Sequence, residues 1–233
     1  MQLICFSVSH HNTPVELREC LALPPEMLEE ALNRVPLHAG RYKPLSELVA
    51  LSTCNRLEIY ALVAFPKTED EDEEEADASQ LLLDYLREAF AIPVDLMAAS
   101  MHIFSGIEVV EHLFMVTAGL DSVAIGETQI LGQVSHALDT CLSLGYTRHA
   151  LASLFRSAIH AGKRVRTETE IGRHPTSISS VAIQLAEQVT GTLATKNVLV
   201  VGTGKMGKHA IEELRERGAR QIVLANRTFR HAA

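Results

Sequence analysis

Asn197-Val198-Leu199-Val200-Val201-Gly202-Thr203-Gly204-Lys205-Met206-Gly207 places an apolar run directly before a glycine-rich turn. A short apolar run ending in glycine reads as a buried parallel strand. Gly202 allows a tight turn, Gly204 lets the backbone approach a pyrophosphate, and Gly207 allows a helix to pack close to the strand. The helix runs to about Arg217, Gly218 caps it, and Gln221-Ile222-Val223-Leu224-Ala225 is the next strand. Strand, helix and strand in that order open a Rossmann-type dinucleotide-binding half, and the free amides at the helix start favour phosphate. Asn226-Arg227-Thr228 ends the second strand, where an acid would accept the adenosine ribose hydroxyls. No acid repels a 2'-phosphate there and Arg227 can pair with one, so the turn favours NADP(H) over NAD(H). A solvated surface role for Arg227 is the alternative. The cofactor set is Gly202, Thr203, Gly204, Lys205, Met206, Gly207, Asn226, Arg227 and Thr228. Only the first part of such a half fits before Ala233, so the domain is expected to be incomplete and the chemistry to lie upstream.

The bulk properties are those of a globular chain. Its 233 residues are 47% hydrophobic and 21% charged, which suits one or two domains. No apolar run is long enough to span a membrane. The N-terminal MQLICFSVSHH reads as a first strand and not as a signal peptide, which makes the cytoplasm the expected compartment. Net charge is -8, of which residues 67–80 contribute -7, so global charge says little about partners. The cysteines Cys5, Cys20, Cys54 and Cys141 form no CxxC pair or zinc spacing, and no metal is assigned. Cys5 and Cys20 read as buried small hydrophobes.

Upstream of the turn the chain alternates strand and helix. Residues 2–9 read as a strand, 14–22 as a helix, and Pro24-Pro25 opens a second helix. Residues 46–51 form a short strand, and 56–64 alternate with Leu57, Ile59, Ala61 and Val63 on one face and Arg56, Glu58 and Tyr60 on the other. The two strands suggest a hairpin whose turn carries Cys54. The acidic run Glu69 to Asp77 reads as a disordered loop or a loose helix cap. Helices follow over 81–90, 106–118, 126–144, 148–165 and 176–190. The fold class is therefore α/β: an N-terminal α+β catalytic domain over 1–150, a long helical linker or spine over 151–192, and a truncated Rossmann-type NADP-binding domain over 193–233.

Ser52-Thr53-Cys54-Asn55-Arg56-Leu57-Glu58 is the second focus. Arg56 can lower a thiol pKa or clamp a carboxylate. A thiolate beside a reduced nicotinamide suggests attack on an acyl ester followed by reduction of the thioester. A structural cysteine in a surface turn is the alternative.

Several blocks in one order carry a resemblance. They are Ser9-His10 through Pro14-Val15-Glu16-Leu17-Arg18-Glu19, the cysteine turn, His112-Leu113-Phe114, and Gly119-Leu120-Asp121-Ser122. Gly126-Glu127, Gln129 to Val134, Gly162 to Thr169 and the glycine-rich turn complete them. Over nearly its whole length the chain resembles the glutamyl-tRNA reductase family. The resemblance implies that Cys54 attacks the glutamyl ester of glutamyl-tRNA(Glu) and that NADPH reduces the resulting thioester to glutamate-1-semialdehyde. That is the first step of the five-carbon route to tetrapyrroles. It implies that Arg56 holds the glutamyl carboxylate, that Thr53, Ser122 and Ser177 contact the substrate, and that His112 orients or polarises the carbonyl. A satisfied core histidine is the alternative at His112, and His10 is a supporting residue. A homodimer and the glutamate-1-semialdehyde aminomutase that takes the product are implied partners. Lys163, Arg164 and Arg166, with Arg148 and Arg156 nearby, are candidate phosphate contacts or a solvated helix face. An NADP-binding regulatory protein and a tRNA-binding module without acyl reduction are the competing functions.

Overall fold

A computed structural model of the chain describes residues 1–21, 25–37, 40–65, 71–97, 99–127, 129–172 and 178–228. The chain divides into two compact units, Met1–Arg173 and His174–Ala233.

The first unit is built on an antiparallel sheet of order β2-β3-β1-β4, from β1 (Gln2–Ser9), β2 (Leu45–Ser52), β3 (Arg56–Val63) and β4 (Met101–Ser105). β2 and β3 form the expected hairpin, with Ser52 opposite Leu57, and Cys54 lies in its turn. β1 pairs with β3 so that Ser9 faces Arg56, Ser7 faces Glu58 and Cys5 faces Tyr60. The helices are α1 (Val15–Leu21), α2 (Pro25–Arg34), α3 (Glu71–Phe90), α4 (Val94–Met97), α5 (Gly106–Ala118), α6 (Gln129–Ser143) and α7 (Ala150–Glu168). β3 is buried on both faces. Leu57, Ile59, Ala61 and Val63 lie in one core with Leu82, Tyr85 and Leu86 of α3. The face of Arg56, Glu58 and Tyr60 meets α5 and α7: His112 of α5 reaches Glu58, and Phe155 of α7 sits edge-on to Tyr60 with ring centroids 5.1 Å apart. Cys5 is fully buried, and burial pushes its thiol well up; the side chain of Cys20 lies outside the described residues.

Three local expectations change. Of the acidic run, residues 71–77 are the first turns of α3, helix and neither a loop nor a loose cap, while residues 69 and 70 lie outside the described residues. Glutamate is a good helix former, and acids at a helix N-terminus complement the macrodipole, so the run extends the apolar helix behind it. β4 was not foreseen; it enters the sheet by pairing with β1, Ser7 opposite His102. The helix expected from residue 126 starts at Gln129. In front of it a loop leaves α5 at Gly119 (φ 80°) and turns at Gly126 (φ 83°), its neck closed by Gly126 N donating to Gly119 O at 2.9 Å.

In the second unit β5 (Asn197–Val201) and β6 (Gln221–Ala225) pair in parallel, with α8 (Ile178–Thr190) and α9 (Lys205–Glu216) beside them. This is the expected Rossmann-type opening. β5 is not buried on both faces: Val198 and Val200 pack inward, while Leu199 is 61% and Val201 78% exposed. Only one face of the two-stranded sheet is covered among the described residues.

Candidate active site

The cysteine turn is held from several sides. Thr53 N donates to Arg56 O at 2.8 Å, and Thr53 Oγ1 accepts the amides of Asn55 and Arg56, both at 3.1 Å. The hydroxyl thus closes the turn in the manner of a short polar side chain bonding forward along its own backbone. Arg18 of α1 donates to Asn55 Oδ1 at 3.0 Å and to Thr13 O at 3.1 Å, and His10 N donates to Asn55 O at 3.0 Å. The block from Ser9 to Arg18 therefore braces the turn, while Cys54 stands exposed as a free thiol.

Arg56, at the start of β3, anchors a buried ionic cluster. Its Nη1 donates to Glu58 Oε1 at 2.7 Å and to Asp121 Oδ2 at 2.9 Å, and its Nη2 donates to the Asp121 carbonyl. Glu58 also accepts from Tyr60 OH at 2.7 Å and Ser7 Oγ at 3.3 Å, and His112 Nε2 lies 2.9 Å from Glu58 Oε1. Burial alone would push the Glu58 carboxyl up. The His112 bond, the Arg56 charge and the Tyr60 bond together outweigh it and hold the group at about 2. Phe104 of β4 stacks on His112 with ring centroids 4.2 Å apart, which fixes the imidazole from a second direction. Glu58, His112 and Asp121 bring three potential ligand atoms within 4.8 Å of one another. The Arg56 guanidinium pairs with both carboxylates, so a cation there would face a resident positive charge.

Two hollows flank this cluster. Cys54, Thr53, Arg56 and Ser122 line a tight cleft of about 10 Å³, together with Glu127 and Gln133. His112 lines a separate hollow of about 300 Å³ with Ser7, His11, His102, Phe104 and Asp121. Four of the expected site residues thus share one cleft, and His112 joins them through Glu58 and Arg56. Ser177 lies outside the described residues. Glu58, Asp121 and His11, whose Nε2 is 2.8 Å from Asp121 Oδ1, were not assigned from sequence. The position of Glu58 two residues after Arg56 on one strand face was the available signal; Asp121 stands in one of the blocks that carry the resemblance, but nothing in the sequence paired it with Arg56 or His11. Of the expected phosphate contacts, Arg166 turns inward to the carbonyls of Gly126 and Glu127, and Arg164 pairs with Glu168 on its own helix. Lys163, Arg148 and Arg156 are exposed.

In the second unit Gly202 takes φ 95°, and its amide donates to Ala225 O at 2.8 Å. A Cβ on Gly207 would lie 2.1 Å from Gly202 O, so only glycine permits this approach of helix to turn. The Thr203 hydroxyl is buried without a hydrogen-bond partner among the described residues, and α9 has no side-chain cap. An uncapped helix start beside an orphaned hydroxyl fits a phosphate-bearing cofactor. Asn226 turns back to Thr228 O at 3.0 Å, and Arg227 is exposed. The side chain of Lys205 lies outside the described residues.

Residues 6–169 match the family described as glutamyl-tRNAGlu reductase, N-terminal domain. The chain belongs to the glutamyl-tRNA reductase family. Residues 184–233 match the shikimate / quinate 5-dehydrogenase family. Glutamyl-tRNA reductase of Desulforudis audaxviator is 36% identical over 100% of this chain and 49% of that protein. The Akkermansia muciniphila glutamyl-tRNA reductase is 38% identical over 100% of this chain and 64% of that protein. Among solved structures, glutamyl-tRNA reductase from Methanopyrus kandleri aligns with TM-score 0.60 and 35% identity, over 99% of this chain and 50% of that one. The chain thus spans about half the length of most relatives it matches. Membership in the reductase family agrees with the blocks that build the site, since the matched segment contains the cysteine turn, Glu58, His112 and the Asp121-Ser122 loop. Among the described residues no helix is long and apolar enough to cross a membrane.

Proposed function

We propose that this chain accepts the glutamyl group of glutamyl-tRNA(Glu) on Cys54, the acyl-transfer half of the NADPH-dependent route to glutamate-1-semialdehyde. The observation that carries the reading is the exposed Cys54 thiol on a braced turn, sharing one cleft with Arg56 and Ser122. The Cys54 thiolate attacks the ester carbonyl, the C–O bond to the ribose breaks, and the ribose oxygen takes a proton. Arg56 binds the free carboxylate of the glutamyl group, and Ser122 and Thr53 lie within the same cleft to orient the ester. His112, which Glu58 and Phe104 hold beside the neighbouring hollow, polarises the carbonyl in this reading. Gly202 to Gly207 would hold a nicotinamide dinucleotide, with Arg227 toward a 2'-phosphate, and that group would supply the hydride for reducing the thioester to an aldehyde with return of the Cys54 thiolate. Dimerisation and transfer of the aldehyde to an aminomutase belong to the same reading of the whole protein.

The test is trapping. Incubation with labelled glutamyl-tRNA(Glu) and no NADPH should leave label on the protein as a base- and hydroxylamine-labile thioester. Cys54→Ser should abolish that thioester. Absence of label on the wild-type chain, or labelling that survives removal of Cys54, sinks the proposal.

A further inference from the structure

The residue that must hold the substrate carboxylate in the proposed function already holds two others. Arg56 Nη1 carries Glu58 at 2.7 Å and Asp121 at 2.9 Å. These carboxylates are not equivalent. Glu58 is fully buried on β3, and Ser7, Tyr60 and His112 bond to it as well. Asp121 sits in a loop with 17% of its side chain open, and its second oxygen rests on His11, whose side chain is 54% exposed. Moving Glu58 strips a buried charge of its partners; swinging the Asp121 carboxylate away breaks its bond to Arg56 Nη1 and keeps the one to His11, while Arg56 Nη2 still holds the Asp121 carbonyl.

We infer that Asp121 is an exchangeable internal carboxylate, a gate that the substrate's own side-chain carboxylate displaces from Arg56. The inference rests on the proposed function and adds a specificity-determining residue to it. Two further observations support exchange. The Cys54 cleft, at about 10 Å³, has room for little more than a water, so a glutamyl side chain needs it to open. Asp121 lines the His112 hollow while Ser122, the next residue, lines the Cys54 cleft, so this short stretch stands between the two. Release of the Asp121 carboxylate opens one acceptor position on Arg56 Nη1, whose bond to Glu58 stays, and joins the cleft to the hollow that contains His112. The loop is built for this. Its neck is fixed by the Gly126 to Gly119 bond and by Arg166, and its Asp121 carbonyl by Arg56, so the Asp121 side chain can swing without unravelling α5 or α6. His11 keeps the displaced carboxylate. The exchange is charge for charge: a glutamyl carboxylate replaces Asp121 on the same cation, whereas a neutral glutaminyl amide cannot displace it.

Thioester formation on Cys54 of the 233-residue chain tests this, read against the concentration of glutamyl- and glutaminyl-charged tRNA without NADPH. Asp121→Asn should lower the half-saturating concentration of the glutamyl donor by about fivefold and narrow the glutamyl-over-glutaminyl preference, because an internal competitor is removed. His11→Ala should raise it by a similar factor, because the displaced carboxylate loses its second partner. If Asp121 merely holds the loop in place, both variants raise the half-saturating concentration and leave the preference unchanged, which overturns the gate. A separate readout does not depend on acylation: glutarate, but not neutral glutaramide, should shift the His11 imidazole signals in an NMR titration. Equal response to both compounds, or to neither, overturns the gate whatever the labelling shows. Absence of wild-type thioester alongside a glutarate-specific shift leaves the gate standing and removes the acyl-transfer reading instead.

Discussion

Glu58 is the residue on which the site's geometry depends. It has no exposed side-chain surface, yet it is held ionised by His112, Arg56 and Tyr60. Its folded pKa, about 2, lies below the ordinary value of 4.5, so its stabilising contribution is present above about pH 4.5 and is lost as pH falls through 2. Glu58→Gln should therefore flatten the acid side of a stability-against-pH curve within that window. Glu58→Ala leaves the Arg56 cation with one carboxylate and should cost about 3 kcal/mol in urea denaturation at neutral pH. Wild-type behaviour in both variants would mean that the cluster contributes nothing to the fold. The same residue shows how far the sequence could be read. Alternation along 56–64 places Arg56, Glu58 and Tyr60 on a common face, and the structure agrees, but alternation does not say what covers that face, and α5 does. Burial of a charged face is decided by partners, and these come from α5 and from the loop after it. Separations of 54 residues from Glu58 to His112 and 65 from Arg56 to Asp121 leave no periodic trace in the sequence.

At the scale of elements, capping couples the sheet to the helix that covers it. α7 begins without a side-chain cap from its own N-terminal residue, His149. Its first amides are met instead by Glu47 of β2, which accepts from Arg148 and His149 at 3.2 Å, Ala150 at 3.0 Å and Leu151 at 2.9 Å. Thr147 adds a hydroxyl bond to Leu48 O at 2.5 Å, and Leu48 N donates to Tyr146 O at 2.8 Å, so the segment before α7 runs along the strand edge. Burial pushes the Glu47 carboxyl up, but the four amides outweigh it and leave the group lowered. A lowered carboxylate stabilises above its unfolded pKa and loses that contribution as pH falls through its folded one. Glu47→Ala should destabilise the first unit by about 2 kcal/mol, seen as a lower urea midpoint at neutral pH, and the difference from wild type should shrink in acid. A difference that is constant with pH would show that packing, and not the charged cap, is what the substitution removes. Helix ends at α5 and α6 were legible from Gly119 and Gly145, since glycine at positive φ ends helices for a local reason. The cap was not legible, because the acid lies about a hundred residues before the helix it serves.

At the scale of the whole molecule, the two units differ in what holds them together. The first has a continuous core through the four-stranded sheet, including Ile4, Phe6, Leu48, Ile59, Tyr60 and Phe155. In the second, the buried apolar side chains among the described residues are Ile183, Leu193, Leu214 and Ala219. A core so small gives little stability beyond the chain entropy it must offset, so His174–Ala233 should open before Met1–Arg173 does. Hydrogen exchange should therefore show faster amides in β5, β6 and α9 than in β1 and β3. The glycine-rich turn, legible from spacing alone, supplies the lever for the decisive measurement. A ligand that binds only the folded form stabilises it by mass action. NADPH at saturating concentration should slow exchange across residues 198–208 and leave β1 and β3 unchanged, while Gly207→Ala, whose Cβ would press on Gly202 O, should remove the protection. NADH should protect less, since Asn226 and Arg227 offer no acid to the ribose hydroxyls and a cation to the 2'-phosphate. Equal protection by both dinucleotides would assign Arg227 to solvent, and protection by neither would take cofactor binding away from this turn.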